Sequence, residues 1–179
     1  MRTFVLSLSA FVGLSTALLA GPSIDSGNGY TPFGGLEIGS TKATVDGVDS
    51  STEVNWGIKG GVENEISRIY LSAHYVNWDD ANAFDFLLNL EGRTSPYLLG
   101  DSLSTAFFIG GHIGLVHVDP DFLDATTDLA YGAQTGILFS FNPKVEFESG
   151  FRYTWSNADI SGYDLDHYYT IYGGLNFKF

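Results

Sequence analysis

Eight segments of the chain alternate between apolar and polar side chains at every second residue, and this pattern constrains the fold more than any other feature. Successive side chains of a β-strand point to opposite faces, so each segment predicts a strand with one apolar face. In the last segment, HYYTIYGGLNFKF, the face that includes Phe179 is apolar and the other is largely polar. The predicted strands span residues 33–42, 54–63, 68–77, 83–93, 105–117, 129–141, 144–155 and 167–179.

The apolar faces are almost free of charged residues, whereas the polar faces carry acids and bases in nearly equal number. A soluble barrel would place its charges outside. A barrel in lipid must avoid charge outside, because a lipid-facing charge at mid-membrane costs about 2–4 kcal/mol. Its sheet must also close, since unpaired backbone groups are unfavourable in hydrocarbon. The sequence therefore predicts an all-β fold, an eight-stranded antiparallel transmembrane β-barrel, with the last strand paired to the first near Leu36 and Ile38.

The polar faces of such a barrel point into a narrow lumen. Eight strands enclose a space that side chains can fill, and each buried charge there needs a partner. Inward glycines such as Gly61 either give long side chains room or let the sheet curve. We predict a lumen plugged by a network of charged side chains: Glu37, Lys59, Glu63, Arg68, Asp85, Glu91, Arg93, Glu146, Glu148, Arg152 and Lys178. A narrow pore for small solutes or ions is the alternative.

The N-terminal segment, residues 1–20, has one early base followed by an uncharged apolar run, which predicts a secretory signal peptide. Residues 21–179 then form the barrel domain. The formal net charge of −13 argues against a nucleic-acid partner, because phosphate contacts need Lys and Arg. The chain has no cysteine, which excludes disulfides and thiolate metal sites, and no cofactor is expected.

The predicted connections are of two kinds. Short turns are expected at 64–67 and 142–143, with a longer connection at 94–104, on the side of the termini. The connections at 43–53, 79–82, 119–128 and 156–166 carry twelve acids and no base. Four of these acids, Asp119, Asp121, Asp124 and Asp128, form a candidate Ca²⁺ site, because Ca²⁺ takes oxygen ligands from such loops. A solvated, self-repelling acidic surface is the alternative. Acidic loops could also share the divalent cations that bridge lipopolysaccharide.

These features together resemble the small outer-membrane β-barrel family of Gram-negative bacteria, which includes OmpA N-terminal domains, OmpX and opacity-type proteins and is often labelled a porin family. The resemblance implies a protein of the cell outer membrane that contacts its lipid and lipopolysaccharide, with extracellular loops and both termini in the periplasm. It further implies that the barrel-assembly machinery reads the last strand through its terminal aromatic and the alternating apolar residues before it. The residues that match this signal are Ile171, Leu175, Phe177 and Phe179.

One short segment raises the question of catalysis. TWSNA, residues 154–158, resembles the His-x-Ser-Asn-Ala stretch of the lipid A deacylase family, with Ser156 at the serine position. Thr154 stands where the family has its histidine, and Tyr168 falls where an acidic partner is expected. A serine without an adjacent base is not activated. We therefore interpret the SNA part, residues 156–158, as loop chemistry. We predict no catalytic residues and a structural or surface-interaction role for the protein.

Overall fold

The computed structural model describes residues 29–45, 48–78, 81–100, 103–120, 125–160 and 163–179. The predicted signal peptide lies outside these residues. The described part contains nine β-strands: β1 (Thr31–Val45), β2 (Val48–Glu63), β3 (Ser67–Trp78), β4 (Ala81–Arg93), β5 (Tyr97–Leu98), β6 (Ser104–Pro120), β7 (Thr126–Asn142), β8 (Val145–Ile160) and β9 (Tyr163–Lys178). In the described part of the chain, no helix is long and apolar enough to cross a membrane.

The eight long strands form one closed antiparallel barrel. Each strand pairs with its neighbours in the order β4-β3-β2-β1-β9-β8-β7-β6, and β4 pairs with β6 to complete the ring. The last strand pairs with the first, with Leu36 opposite Leu175 and Ile38 opposite Gly173. The predicted fold class and the predicted closure are therefore confirmed. Strand β5 is a short extra piece that pairs only with β6.

The two faces of the barrel wall differ as the alternation predicts. Large apolar side chains such as Ile109, which is 71% exposed, cover the outside. Charged side chains such as Arg68, which is 0% exposed, point into the lumen. Ala73 departs from this pattern, because it has the outward parity but is buried. It pairs with Ile58 on one side and Phe86 on the other, and these larger residues flank it.

We call the end of the barrel that carries Thr31 and Phe179 the terminal end, and the opposite end the distal end. Two turns at the terminal end are tight, as predicted, and each is organised by an asparagine. The Asn64 carboxamide oxygen accepts from the backbone nitrogen of Ser67 at 2.8 Å. The Asn142 oxygen accepts likewise from that of Val145 at 2.9 Å. An asparagine side chain that bonds the backbone two or three residues on is a favourable way to reverse the chain.

The strands are longer at the distal end than predicted. β2 begins at Val48, β6 reaches Pro120, and β9 begins at Tyr163. Much of what the sequence predicted as distal loops is therefore strand. Seven of the twelve acids assigned to those loops lie on strands, namely Asp49, Glu53, Asp119, Asp128, Asp159, Asp164 and Asp166. The other five, Asp46, Asp79, Asp80, Asp121 and Asp124, lie outside the described residues.

The physical reason is that the alternation reverses its sense near the distal end. On β6, Leu115 points outward and is exposed, but Val116 and Val118 point inward and are buried. The outward residue between the two valines is His117, and Asp119 beyond them is exposed. At its distal end β6 therefore has an apolar inner face and a polar outer face, as a strand of a water-exposed β-barrel does. The predicted strands were defined by an apolar outer face, so they ended where that face ended.

Candidate functional site

Arg68 lies at the centre of the lumen network and contacts four carboxylates. Its Nη1 donates to Glu148 at 2.9 Å, its Nη2 donates to Glu146, and its Nε donates to Glu63 at 3.2 Å. The Glu91 Oε2 atom lies 3.6 Å from Nη1. Arg68 belongs to β3 and Glu148 to β8, which lie on opposite sides of the eight-strand ring. The guanidinium group therefore bridges the full width of the lumen.

A second group of contacts lies next to this one. The Lys59 ammonium donates to Glu148 and lies 3.3 Å from the Glu37 carboxylate. The Arg152 Nη2 donates to Glu37 at 2.9 Å, and its Nη1 lies 3.0 Å from Nε2 of His74. Arg152 of β8 and His74 of β3 again belong to opposite walls. Each of these charged side chains is buried and has an oppositely charged partner, as a desolvated ion pair requires.

At the terminal mouth the network meets solvent. The Lys178 ammonium lies 2.7 Å from Glu63 and 3.2 Å from Glu146, and the Lys178 side chain is 17% exposed. Arg93 contributes a second base, with Nη1 at 3.4 Å from Glu63 and 3.8 Å from Glu146. The acids Glu63 and Glu146 and the bases Arg93 and Lys178 therefore close this mouth. Arg68 contacts the same two acids from inside the lumen.

On its distal side the network ends in a histidine and an aspartate. The His74 Nδ1 and Asp85 Oδ1 atoms are 2.5 Å apart, and the Tyr168 hydroxyl donates to Asp85 Oδ2 at 3.1 Å. Tyr168 of β9 and Asp85 of β4 are a third pair that joins opposite walls. A cavity of about 20 Å³ beside them, lined in part by Thr41 and Asn55, has room for about one water molecule.

The structure brings all eleven charged residues predicted for the lumen into one connected set of ion pairs, with His74 as the link to Asp85. Uncharged side chains complete it, and sequence reasoning gave them no role. The Gln134 amide nitrogen donates to Tyr70 and Glu91, each at 2.9 Å, and its oxygen accepts from Arg152 at 3.1 Å. The parity of Gln134 and Tyr70 places both on the inward face of the predicted strands, but their bonds to the charged residues could not be read from it.

An apolar layer covers the network on the distal side. It consists of apolar side chains, from alanine to tyrosine in size, that point inward from seven of the eight long strands, all but β2. The charged Asp85 points inward between two of its members, Ala83 and Leu87, and accepts a hydrogen bond from a third, Tyr168. The buried members are Ala43, Val76, Ala83, Leu87, Val116, Val118, Ala130, Ala158, Leu165 and Tyr168.

The four residues of the predicted assembly signal lie on the outer face of β9. Ile171, Leu175, Phe177 and Phe179 are all exposed there. The backbone nitrogen of Phe179 donates to the carbonyl of Pro32 at 3.0 Å, so the end of the chain is tied to the start of β1. The apolar row is therefore exposed on the outer surface of the described barrel.

The predicted Ca²⁺ ligands are only partly within the described residues. Asp121 and Asp124 lie outside them, Asp119 is exposed, and Asp128 is half-buried with its carboxylate accepting from the Leu129 nitrogen at 2.6 Å. Within the described ranges no three His, Cys, Asp or Glu side chains come together as a metal site.

The serine considered for catalysis lies in β8, so the interpretation of residues 156–158 as a loop is wrong, whereas residues 154 and 155 lie on a strand as predicted. Ser156 is buried, and its Oγ accepts from the Ala158 nitrogen at 3.2 Å. His112 contacts Thr154, with Nε2 and Oγ1 at 3.0 Å. The reason for the error is the same distal extension of the strands, which carries this segment into the wall of the barrel.

Comparison with solved structures shows the class of fold. The structure is similar to the crystal structure of Neisserial surface protein A (NspA), with a TM-score of 0.64 and 13% sequence identity over 85% of this chain and 100% of that one. The N-terminal β-barrel domain of Pseudomonas aeruginosa OprF matches with a TM-score of 0.47 and 13% identity over 81% of this chain and 97% of that one. The outer membrane enzyme PagL matches with a TM-score of 0.44 and 11% identity over 78% and 97%.

The fold is therefore that of the eight-stranded outer-membrane β-barrels. No protein-family model matches the chain. No curated protein sequence matches it either.

Proposed function

We propose that the protein is an integral, non-conducting barrel of the Gram-negative outer membrane, with a structural or surface-interaction role and without catalysis. The observation that carries this proposal is the lumen network, in which Arg68, Arg152 and Tyr168 each contact the opposite wall. A solute path along the lumen would have to break these contacts. Each break leaves a buried charge or polar group without a partner, which is strongly unfavourable.

The outer surface supports a location in lipid. Ile109, Phe107 and Leu115 on β6 are exposed apolar residues on one face of the strand. Exposed apolar surface on this scale is rare on a monomeric soluble protein and is typical of a surface that meets a membrane or a partner. Closure of the sheet leaves no free edge between the eight long strands, as a membrane barrel requires.

The orientation we propose places the terminal end in the periplasm and the distal end outside the cell. The apolar row Ile171, Leu175, Phe177 and Phe179 would then be recognised by the barrel-assembly machinery during insertion. The distal end would then present the acidic residues on the outer side of the membrane. Asp119 and Asp166, both exposed, are the members of this surface whose side chains are most accessible in the described chain.

A permeability assay in cells tests the non-conducting role. The protein is expressed in a Gram-negative strain that lacks its general porins, and the rate at which a periplasmic β-lactamase hydrolyses an externally added β-lactam is measured. We expect the same rate as in cells with the empty vector. A rate that rises with the amount of protein in the outer membrane would contradict the proposal.

The absence of catalysis is tested on the lipid. Lipid A from cells that express the protein is compared by mass spectrometry with lipid A from cells that carry the empty vector. We expect identical acylation. Loss or gain of an acyl chain that disappears in the Ser156→Ala variant would show that the protein is an enzyme.

A further inference from the structure

His74 of β3 lies at the distal side of the lumen network and has different partners on its two ring nitrogens. Its Nδ1 atom is 2.5 Å from Asp85 of β4. Its Nε2 atom lies 3.0 Å from Nη1 of Arg152 on β8 and 3.3 Å from Oε1 of Glu37 on β1. Gly57 stands opposite His74 on β2, and a Cβ there would overlap the ring. The ring is therefore buried and held in place between these strands.

The two partners of Nε2 make opposite demands on the ring. The Arg152 guanidinium can only donate, so its hydrogen bond requires a bare Nε2 and a neutral ring with the proton on Nδ1. The Glu37 carboxylate can only accept, so its hydrogen bond requires a proton on Nε2. Because Nδ1 keeps its own proton for Asp85, the ring is then positively charged. The charge of His74 therefore decides which wall of the barrel Nε2 binds.

The charge balance of the network favours the charged ring, whereas the contact with Arg152 favours the neutral ring. With His74 neutral, the connected ion pairs contain six carboxylates but only five cations, and an uncompensated buried charge is unfavourable. A proton on His74 supplies the missing positive charge. Histidine is also the side chain that ordinarily changes charge between about pH 5 and 8. The carboxylates are Glu37, Glu63, Asp85, Glu91, Glu146 and Glu148, and the cations are Lys59, Arg68, Arg93, Arg152 and Lys178.

Two further titratable side chains lie close to this group, on β9 and β6. The Tyr168 hydroxyl reaches it through Asp85, to which it donates at 3.1 Å. His112 has its Nε2 atom 3.0 Å from the Thr154 hydroxyl oxygen. His74, Asp85 and Tyr168 also line the cavity of about 20 Å³, which has room for about one water molecule. A water molecule in this cavity would deliver a proton to the ring from the distal side.

We propose that His74 is a proton-operated switch in the lumen network. In the neutral ring, Nε2 accepts from Arg152 and joins β3 to the opposite wall. In the charged ring, Nε2 donates to Glu37, and the bond to Arg152 is lost because two donors then face each other. Acid therefore removes one cross-wall contact and leaves those of Arg68 and Tyr168. The inference rests on the lumen network that carries the proposed function and adds that its distal side responds to pH.

Nitrogen NMR of the histidine side chains tests the switch without a destabilising substitution. The folded barrel, labelled with nitrogen-15 in its four histidines, is titrated in lipid nanodiscs from about pH 8.5 to about pH 5. The His74→Asn variant identifies the signals of His74, and His117 on the outer face serves as a histidine outside the network. We expect a bare Nε2 and a protonated Nδ1 at high pH, and a proton on both nitrogens at low pH. A ring that keeps one charge over the whole range would overturn the switch. A neutral ring with its proton on Nε2 would do so as well.

Double-mutant cycles at two pH values test the exchange of partners. His74→Leu is combined with Arg152→Met in one cycle and with Glu37→Gln in another. Coupling is measured by urea titration in lipid vesicles at about pH 8.5 and about pH 5.5. We expect the coupling with Arg152 to be favourable at high pH and lost or reversed at low pH, and the coupling with Glu37 to grow at low pH. The control cycle, Arg68→Met with Glu63→Gln, contains no histidine and is expected to give the same coupling at both.

Couplings of His74 that do not change with pH would overturn the switch. A change of the same sign and size in the control cycle would also overturn it, because acid would then act on the whole network. Either result leaves the non-conducting role standing, since that role is judged by permeability and conductance.

Discussion

Arg68 of β3 and Glu148 of β8 form an ion pair of 2.9 Å across the full width of the barrel lumen. The two strands lie on opposite sides of the ring, so this contact ties together walls that are far apart along the chain. Both side chains are almost completely buried. The pair therefore holds the two walls together and also blocks the lumen to solutes.

Removal of Arg68 is expected to destabilise the barrel strongly. In Arg68→Ala, four carboxylates lose a shared cation, and breaking a buried pair on one side costs about 3–5 kcal/mol. The free energy of unfolding is measured by urea titration in lipid vesicles. Lys144→Ala, in an exposed turn, is the control and is expected to change stability by less than about 0.5 kcal/mol. Equal stability of the two variants would show that the network does not support the fold.

The contact between Arg152 and Glu37, at 2.9 Å, can be isolated by a double-mutant cycle. Arg152→Met and Glu37→Gln are each expected to destabilise the protein. The double variant is expected to lose less stability than the sum of the two single variants, with a coupling free energy of about 0.5–3 kcal/mol. The reason is that the second substitution removes a group whose ion-pair partner is already absent. Additive effects would mean that the two groups do not interact in the folded barrel.

Two adjacent glycines give a matched pair for testing how tightly the wall is packed. A Cβ added to the inward-facing Gly61 would lie 2.5 Å from the Cβ of Tyr70 and would overlap the Ile69 carbonyl oxygen. A Cβ on the outward-facing Gly60 would meet nothing closer than 3.7 Å. Gly61→Ala is expected to cost about 1–3 kcal/mol, as overpacking does. Gly60→Ala should be nearly neutral in the same urea titration, and equal effects would contradict the described register.

The reversal of the alternation on β6 predicts where the membrane ends. Ile109→Lys places a charge on the lipid-facing surface and is expected to cost about 2–4 kcal/mol. Asp119→Lys lies beyond the reversal, where the outer surface is polar, and is expected to cost about 0–1 kcal/mol. Both are measured by folding equilibrium into lipid vesicles. A large cost at residue 119 would place lipid against the distal extension.

Deletion of Phe179 is expected to slow insertion more than it weakens the folded barrel. The residue is exposed at the end of the chain and packs little, but it completes the apolar row of β9. The rate of folding into vesicles that contain the assembly machinery is compared with the rate into lipid alone. The conservative Phe179→Tyr variant is the control. If the deletion slowed both rates equally, Phe179 would have a structural role and would not be recognised by the assembly machinery.

The fold could be predicted from sequence because lipid and lumen impose opposite demands on alternate residues. Leu36, Ile38 and their equivalents had to face lipid, and closure then fixed the pairing of β1 with β9. The inward position of Arg68 and Glu148 followed from the same parity. Which charges pair could not be predicted, because partners such as Arg68 and Glu148 lie 80 residues apart and meet through the curvature of the whole ring.

The extension of the strands at the distal end was not predicted, for a physical reason. Val116, Val118 and Leu165 are apolar residues that point inward, so the outer face of these segments is polar and looked like loop. A search for a change in the sense of the alternation, from polar inside to apolar inside, would have found it. Asp119, Asp166 and residues 156–158 would then have been placed on strands.

The measurement that tests the plugged lumen most directly is the conductance of purified, folded protein in a planar lipid bilayer. Insertion is verified beforehand by heat-modifiable mobility of the same preparation, and a general porin in the same bilayer shows that channels can be detected. We predict no steady, resolved open-channel steps at any applied voltage that the bilayer withstands. Reproducible steps of constant size would contradict a lumen closed by the contacts of Arg68 and Arg152 with the opposite wall.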